Sequence, residues 1–303
     1  MNKKNMKGVF PSLPTPFFED YTVDYESLKR VVEFAISAGA HGLFALDIAG
    51  EFFALSDEER KQCVETILET AGSRVPVIIN VSAASEEQSF IFAKHAEKFG
   101  AAGIVSTPPF FRAQSKARII KYYQQLNACT NLPIILQNAP ENMGTAIDVD
   151  LQAQIIRENS NIQYAMEECV AAQLTVTHVL SSVQEIPHFK GVVTGSCGQL
   201  MLHDYYRGVR MFVPQAEMTD LFVKLWDALE SQDETLAMER YQILAPVLMF
   251  GSSYQRSLAK GMLLRRGIIA TSVMRESSKP VFDDIQLREL DYWVEQLLPH
   301  FSV

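Results

Sequence analysis

Cysteine is scarce in this sequence: Cys63, Cys129, Cys169 and Cys197 stand far apart and show no paired spacing. That excludes a disulfide framework and a zinc site, and it fits reduced thiols in a cytoplasm. A basic stripe is also missing, and the formal charge is -9. A nucleic-acid reader needs clustered Lys and Arg, so that class is excluded. Long apolar runs are lacking too. "VPVIINV" (75–81) is among the longest and is far too short to cross a bilayer. The basic start "MNKKNMKG" leads into the proline-bearing "VFPSLPTPFF" with no small-residue cleavage site, so no secretory signal is expected. No low-complexity segment and no Pro/Ser-rich linker interrupts the chain. The histidines show no metal-ligand spacing, and neither a metal nor a cofactor is expected.

What is present is rhythm. Nearly half of the 303 residues are apolar, enough for a large core. Short β-branched runs alternate with helical patterns. Strands are predicted at 9–13, 42–46, 75–81, 102–107, 133–138, 162–167, 191–195 and 210–214, eight in all. Helix starts are explicit. Asp24 caps the first helix, Ser56 with Glu59 forms a capping box, and Ser85 with Gln88 repeats the pattern. Gly39, Gly72 and Gly100 stop these helices. Strands apolar on both faces suit a parallel sheet, and eight of them suit a (β/α)8 TIM barrel. An open doubly wound sheet would show a Gly-rich first turn, and "PTPFFED" has none. The expected organisation is an α/β barrel over residues 1–230, then a C-terminal helical domain over 231–303 packed on it.

In such a barrel the chemistry sits at the C-terminal strand ends. The polar residues expected there are Thr15, Asp47, Glu51, Asn80, Ser82, Thr107, Gln137, Asn138, Glu167, Glu168, Ser196, Cys197, Gln215 and Glu217. The mouth is thus rich in acids and amides. No strand presents a lysine to the interior, although an imine-forming enzyme needs a desolvated amine. Lys260 falls in the C-terminal helices and Lys279 in the loop before the last one. Only Lys116 and Arg112 are expected near enough to reach the mouth.

Several motifs run in a consistent order: "PTPF", "AGEFFALSDEER", "VPVIINVSA", "STPPFFR", "LPIILQNAPENMG" and the acidic end of the sixth strand. Together they resemble the dihydrodipicolinate synthase / N-acetylneuraminate lyase family from end to end. The resemblance implies a barrel with C-terminal helices, a homo-oligomer (dimer or tetramer), and a 2-keto acid held as an imine on a lysine. The lysine position corresponds to Met166, and the proton-relay tyrosine to Gln137. The two threonines before "GE" correspond to Ile48 and Ala49, and the tyrosine that crosses the dimer to Phe111. An arginine that meets a substrate carboxylate corresponds to Asn142. Scaffold positions Pro16, Gly50, Glu51, Pro108, Asn138, Pro140 and Gly144 stay in pattern. Methionine forms no imine, and glutamine hydrogen-bonds but does not titrate. The family's imine chemistry is therefore expected to be absent, while binding of a small carboxylic acid is retained.

Candidate acids are Glu167 and Glu168, which as neighbours on a strand point to opposite faces. Either is a general acid or base if buried in the mouth, or a scaffold acid if not. Asp47 is either a ligand contact or a surface-loop acid. "TGSCG" (194–198) is either an anion cradle or a simple turn. Cys197 has no base at helical spacing and is expected to be a buried thiol. The expected ligand-contact set is Asp47, Ile48, Ala49, Glu51, Phe111, Gln137, Asn138, Met166 and Ser196. Two classes of function follow: a lyase-like protein acting on a small polar acid without an imine, or an inert ligand-binding homologue. Neither a nucleic acid nor a membrane is expected as partner.

Overall fold

The computed structural model describes residues 6–169, 172–275 and 281–303. Lys279 lies outside the described residues. All paired strands run parallel in one sheet of nine segments. β1 (Gly8–Val9) and β2 (Ser12–Leu13) are two pieces of a single stave. Pro11 stands between them and has no N–H to donate, which explains the interruption. β2 pairs with β3 (Leu43–Ala45), while β1 pairs with β9 (Met211–Phe212). The donors Phe10 N to Phe212 O (2.8 Å) and Ser12 N to Pro214 O (2.7 Å) complete the seam. The sheet is closed, and the open doubly wound alternative falls. The remaining staves are β4 (Val77–Asn80), β5 (Gly103–Ser106), β6 (Ile134–Asn138), β7 (Ile162–Glu167) and β8 (Gly191–Thr194). With the split stave counted once, the eight expected strands are all present.

Helices wrap this barrel: α1 (Tyr25–Ser37), α2 (Asp57–Ala71), α3 (Glu86–Lys98), α4 (Lys116–Cys129), α5 (Pro140–Met143), α6 (Val149–Glu158), α7 (Ala172–Val183), α8 (Met201–Tyr206) and α9 (Thr219–Glu230). Asp24 caps α1 by accepting from Ser27 N, and Ser56 with Glu59 closes a full capping box on α2. At α3 the cap is one-sided: Ser85 accepts from Gln88 N at 3.3 Å, without the reciprocal contact. A neutral amide gains less from the helix N-terminus than the carboxylate of Glu59 does. Gly39, Gly72 and Gly100 take the positive φ expected of helix stops.

Two cores result. The larger lies between staves and helices. The smaller fills the bore with Phe10, Phe44, Ile78, Val105, Ile135, Tyr164, Met166, Val193, Met211 and Val213. These side chains make the lower barrel a solid plug. Among the described residues three helices follow: α10 (Glu234–Phe250), α11 (Gln255–Arg265) and α12 (Asp284–Leu297). They dock through buried ion pairs, Lys260–Glu51 at 2.6 Å and Arg266–Asp220 at 3.1 Å. Among the described residues no helix is long and apolar enough to cross a membrane.

Candidate functional site

The sixth stave, β7, sorts the acidic pair by strand geometry. Successive side chains alternate between faces. Tyr164 and Met166 belong to the bore, Ala165 to the outer core. Glu167 therefore faces outward and Glu168 inward. Glu168 N donates to Asn138 O at 3.0 Å, which carries the strand pairing one residue further. Outside the bore, Glu167 accepts from Asn138 Nδ2 at 2.9 Å, and Asn138 Oδ1 accepts from Ile147 N at 3.0 Å. This set pins the chain between β6 and α6. Glu167 and Asn138 thus serve as scaffold, and neither reaches the mouth.

Inside the bore, Met166 is fully buried and roofs the apolar plug. Directly above it Glu168 accepts from Gln137 Nε2 at 2.6 Å. Gly195 makes room for both. A Cβ there would lie 2.2 Å from Glu168 Oε1 and 2.9 Å from Met166 Cε.

Above this level opens a cavity of about 210 Å³. It is lined by Ser12, Asp47, Ile48, Ala49, Asn142, Glu168, Ser196, Cys197, Gln199, Val213, Gln215, Gln255 and Arg256. Asp47 is buried, so the surface-acid reading is wrong. Its Oδ1 accepts from Ser12 Oγ at 2.6 Å, Ala49 N at 3.0 Å and Gly50 N at 3.2 Å. In the "TGSCG" turn, Ser196 N donates to Glu168 Oε1 at 3.4 Å. Two readings of this turn stand, anion cradle or simple turn, and the amide of Ser196 faces a carboxylate of the protein itself. Ser196 and Cys197, like Leu46 and Glu51 across the mouth, are non-glycine residues at positive φ. Strained backbone of this kind clusters at functional sites and is held by its surroundings.

Burial sets the electrostatics. It pushes the Glu168 carboxyl up to about 7, against the Gln137 hydrogen bond and helped by the charge of Asp47. Burial also raises Asp47, opposed by its bonds to Ser12, Gly50 and Ala49. It drives the Cys197 thiol well above its usual range, with Glu217, Glu168 and Asp47 adding to the effect. Cys197 is therefore a neutral thiol and no nucleophile.

Several expected contacts lie elsewhere. Glu51 is fully buried but points away from the cavity, to Lys260 Nζ at 2.6 Å and Arg275 N at 2.9 Å. The pull of an ammonium in a dry joint outweighs the mouth. Phe111 is 76% exposed, beneath the guanidinium of Arg112, and does not line the cavity. Lys116 pairs with Asp148 on the surface at 2.6 Å, and Arg112 is exposed, so neither lines the mouth. Asn80, Ser82 and Thr107 form a buried belt: Ser82 Oγ accepts from Thr107 N, and Arg60 donates to the carbonyls of Asn80 and Ser82. Thr15 Oγ1 donates to Gly50 O. Glu217 is buried beside the cavity lining, with its carboxyl pushed up to about 8. Of the ligand-contact set, Asp47, Ile48, Ala49 and Ser196 line the cavity, with Met166 and Gln137 packed just below or beside it.

No lysine is among the described residues that line the cavity. No group of three or more His, Cys, Asp or Glu among the described residues could hold a metal. One lining cation escaped sequence reading, Arg256 at the start of α11.

The profile of the Dihydrodipicolinate synthetase family matches residues 5–281. The chain belongs to this family. L-2-keto-3-deoxyarabonate dehydratase of Azospirillum brasilense is 28% identical over 282 residues, covering 92% of this chain and 90% of the relative. The 4-hydroxy-tetrahydrodipicolinate synthase of Chlorobium limicola is 29% identical over 195 residues, 64% of each chain. Among solved structures, the Escherichia coli K12 family member YagE, determined in complex with pyruvate, superposes with a TM-score of 0.87. It is 23% identical and covers 96% of this chain and 98% of its own, a likeness of fold. Dihydrodipicolinate synthetase family membership accounts for the closed barrel.

Proposed function

We propose that this chain is a lyase-type barrel that takes a small polar acid at its mouth and handles it by proton transfer, without an imine. One observation carries the reading. On the inward face of β7 the last two side chains are Met166, which is inert, and Glu168, whose carboxyl titrates near neutrality. A group with a pKa near the working pH both takes and gives a proton efficiently. Glu168 is thus the acid–base candidate, Gln137 holds it, and Asp47 shapes the turn that carries Ile48 and Ala49. The relative that dehydrates a 2-keto-3-deoxy acid supports a substrate of that class. The four free thiols support a reducing compartment such as the cytoplasm. The reading takes residues 1–230 as the barrel and 231–303 as its helical cover. It also takes the protein as a homo-oligomer, for which the exposed Phe111 ring is the motivating feature.

The test has two arms. Borohydride treatment with pyruvate, read by mass spectrometry, should label no lysine, and a labelled lysine sinks the non-imine reading. Met166→Lys alone should stay inactive towards pyruvate, because Gln137 cannot titrate. Turnover of a five-carbon 2-keto-3-deoxy acid should fall about 100-fold or more in Glu168→Gln. A second reading, an inert binding homologue, is favoured by the mouth amides already engaged by Asp47 and Glu168. Acid binding with no turnover in the unaltered protein would select it.

A further inference from the structure

We propose that Asp47 is a second catalytic residue of the mouth cavity, the base that faces the acid Glu168 across the bore, and that the pair eliminates water from a β-hydroxy keto acid. This rests on the reading of the cavity as a site of proton transfer on small polar acids. Asp47 lies in the turn after β3 and Glu168 at the end of β7, the second and sixth of the eight staves. Four staves apart in a closed ring, they stand on opposite walls. Both line the cavity, and the charge of Asp47 is felt at Glu168.

The hydrogen bonds divide the roles. Asp47 is only 8% exposed. Its Oδ1 takes three donors, Ser12 Oγ, Ala49 N and Gly50 N. Its Oδ2 accepts from none of the described residues, yet it is not sealed from the cavity. One oxygen thus shapes the turn, and the other is left for a ligand. Glu168 is held more lightly, by Gln137 Nε2 on Oε2 at 2.6 Å and by Ser196 N on Oε1 at a long 3.4 Å. Burial raises both carboxyls, and Asp47 has more donors to oppose it. Donors to a carboxylate favour its charged form. Asp47 is therefore the standing base, and Glu168 carries its proton at Oε1. An ionised and a protonated carboxyl on facing walls suit a β-elimination.

Asp47 Oδ2 takes a proton from carbon 3 of the 2-keto acid, and the electron pair moves into an enolate on the carbon 2 oxygen. Asn142 and Gln215 line the cavity with amides that can donate to that oxygen. The enolate collapses, the bond from carbon 4 to its hydroxyl breaks, and Glu168 Oε1 protonates the departing oxygen. The substrate loses H from carbon 3 and OH from carbon 4 as one water and gains a double bond between them. Asp47 ends protonated and Glu168 ionised. The pair holds one proton throughout, and a single transfer between its members resets it. Facing walls suit departure of proton and hydroxyl from opposite faces of the substrate.

The experiment follows hydrogen at carbon 3 of a five-carbon 2-keto-3-deoxy acid by NMR in D2O, with the full chain, beside calorimetric binding of the same acid. Glu168→Gln should still exchange this hydrogen for deuterium while losing elimination by about 100-fold or more. Asp47→Asn should lose both exchange and elimination by about 100-fold or more and bind the acid as before, because the amide oxygen of Asn accepts the same three bonds. Exchange near the unaltered rate in Asp47→Asn overturns the base and leaves the proposed function standing. Loss of exchange in Glu168→Gln overturns the division of roles. A loss of binding in Asp47→Asn that matches its loss of exchange also overturns the proposal, because Asp47 then only shapes its turn. Undiminished elimination in Glu168→Gln overturns the proposed function as well.

Discussion

Two glutamates stand past strand ends in this barrel, and their surroundings are opposite. Glu51, beyond β3, is sealed in the joint with the C-terminal helices, where Lys260 neutralises it and Arg275 N satisfies its second oxygen. Glu168, beyond β7, has an amide as its close side-chain partner and two further carboxyls in its vicinity. Burial with an ammonium makes a strut. Burial with a glutamine makes a group whose proton is exchangeable near neutral pH. Residue type does not separate the two roles; the partner does, and Glu51 is the more deeply buried of the two.

The contrast can be broken from either side. The largest effect is expected at the joint. Glu51→Gln leaves Lys260 uncompensated and should cost about 3–5 kcal/mol in urea unfolding, whereas the double replacement of Glu51 and Lys260 by Met should recover most of it. A loss below about 1 kcal/mol would mean that Glu51 is no strut. At the mouth the sign follows from the raised pKa. Folding favours protonated Glu168, so its stabilising contribution is complete below the unfolded value of 4.5 and is lost as pH rises through about 7. The ceiling is about 3 kcal/mol, and the half-buried side chain lowers it. Glu168→Gln should flatten that part of the urea midpoint against pH, while Asp47 and Glu217 keep theirs. Identical profiles would show that Glu168 titrates normally. Gly195→Ala should cost about 1–3 kcal/mol by pressing on Glu168 and Met166, and should weaken acid binding. Phe111→Ser should change stability by no more than about 0.5 kcal/mol. A fall in acid affinity in that variant would place the Phe111 ring in a neighbouring protomer's cavity.

Much of this was legible from residue pattern. The β-branched runs marked every stave, but the first reads as one strand over 9–13, and its split at Pro11 comes only with the structure. Strand parity separated Glu167 from Glu168, but not which of them faces the bore. That choice needs the register, where Gln137 lies opposite Met166 and Val193 on the other side. Asp47 stayed open between ligand contact and loop acid because its partner Ser12 sits on another stave. Glu51 and Lys260 are 209 residues apart, and no local pattern links them. Arg256 was the costliest omission, since only the docking of α11 over the barrel brings it to the mouth. Its one local trace, a cation in a helix's first turn, was there to be weighed.

The bonds from Ala49, Gly50 and Ser196 to Asp47 and Glu168 have a dynamic consequence. These carboxylates act as built-in ligands for the turns that carry the mouth. The conformational entropy of shaping those turns is lost when the chain folds, not when a substrate arrives. Hydrogen exchange at the three amides should be slow in the empty protein and should change little on saturation with acid. Such a mouth binds as a rigid mould, with little closure to drive and little to gain from a lid.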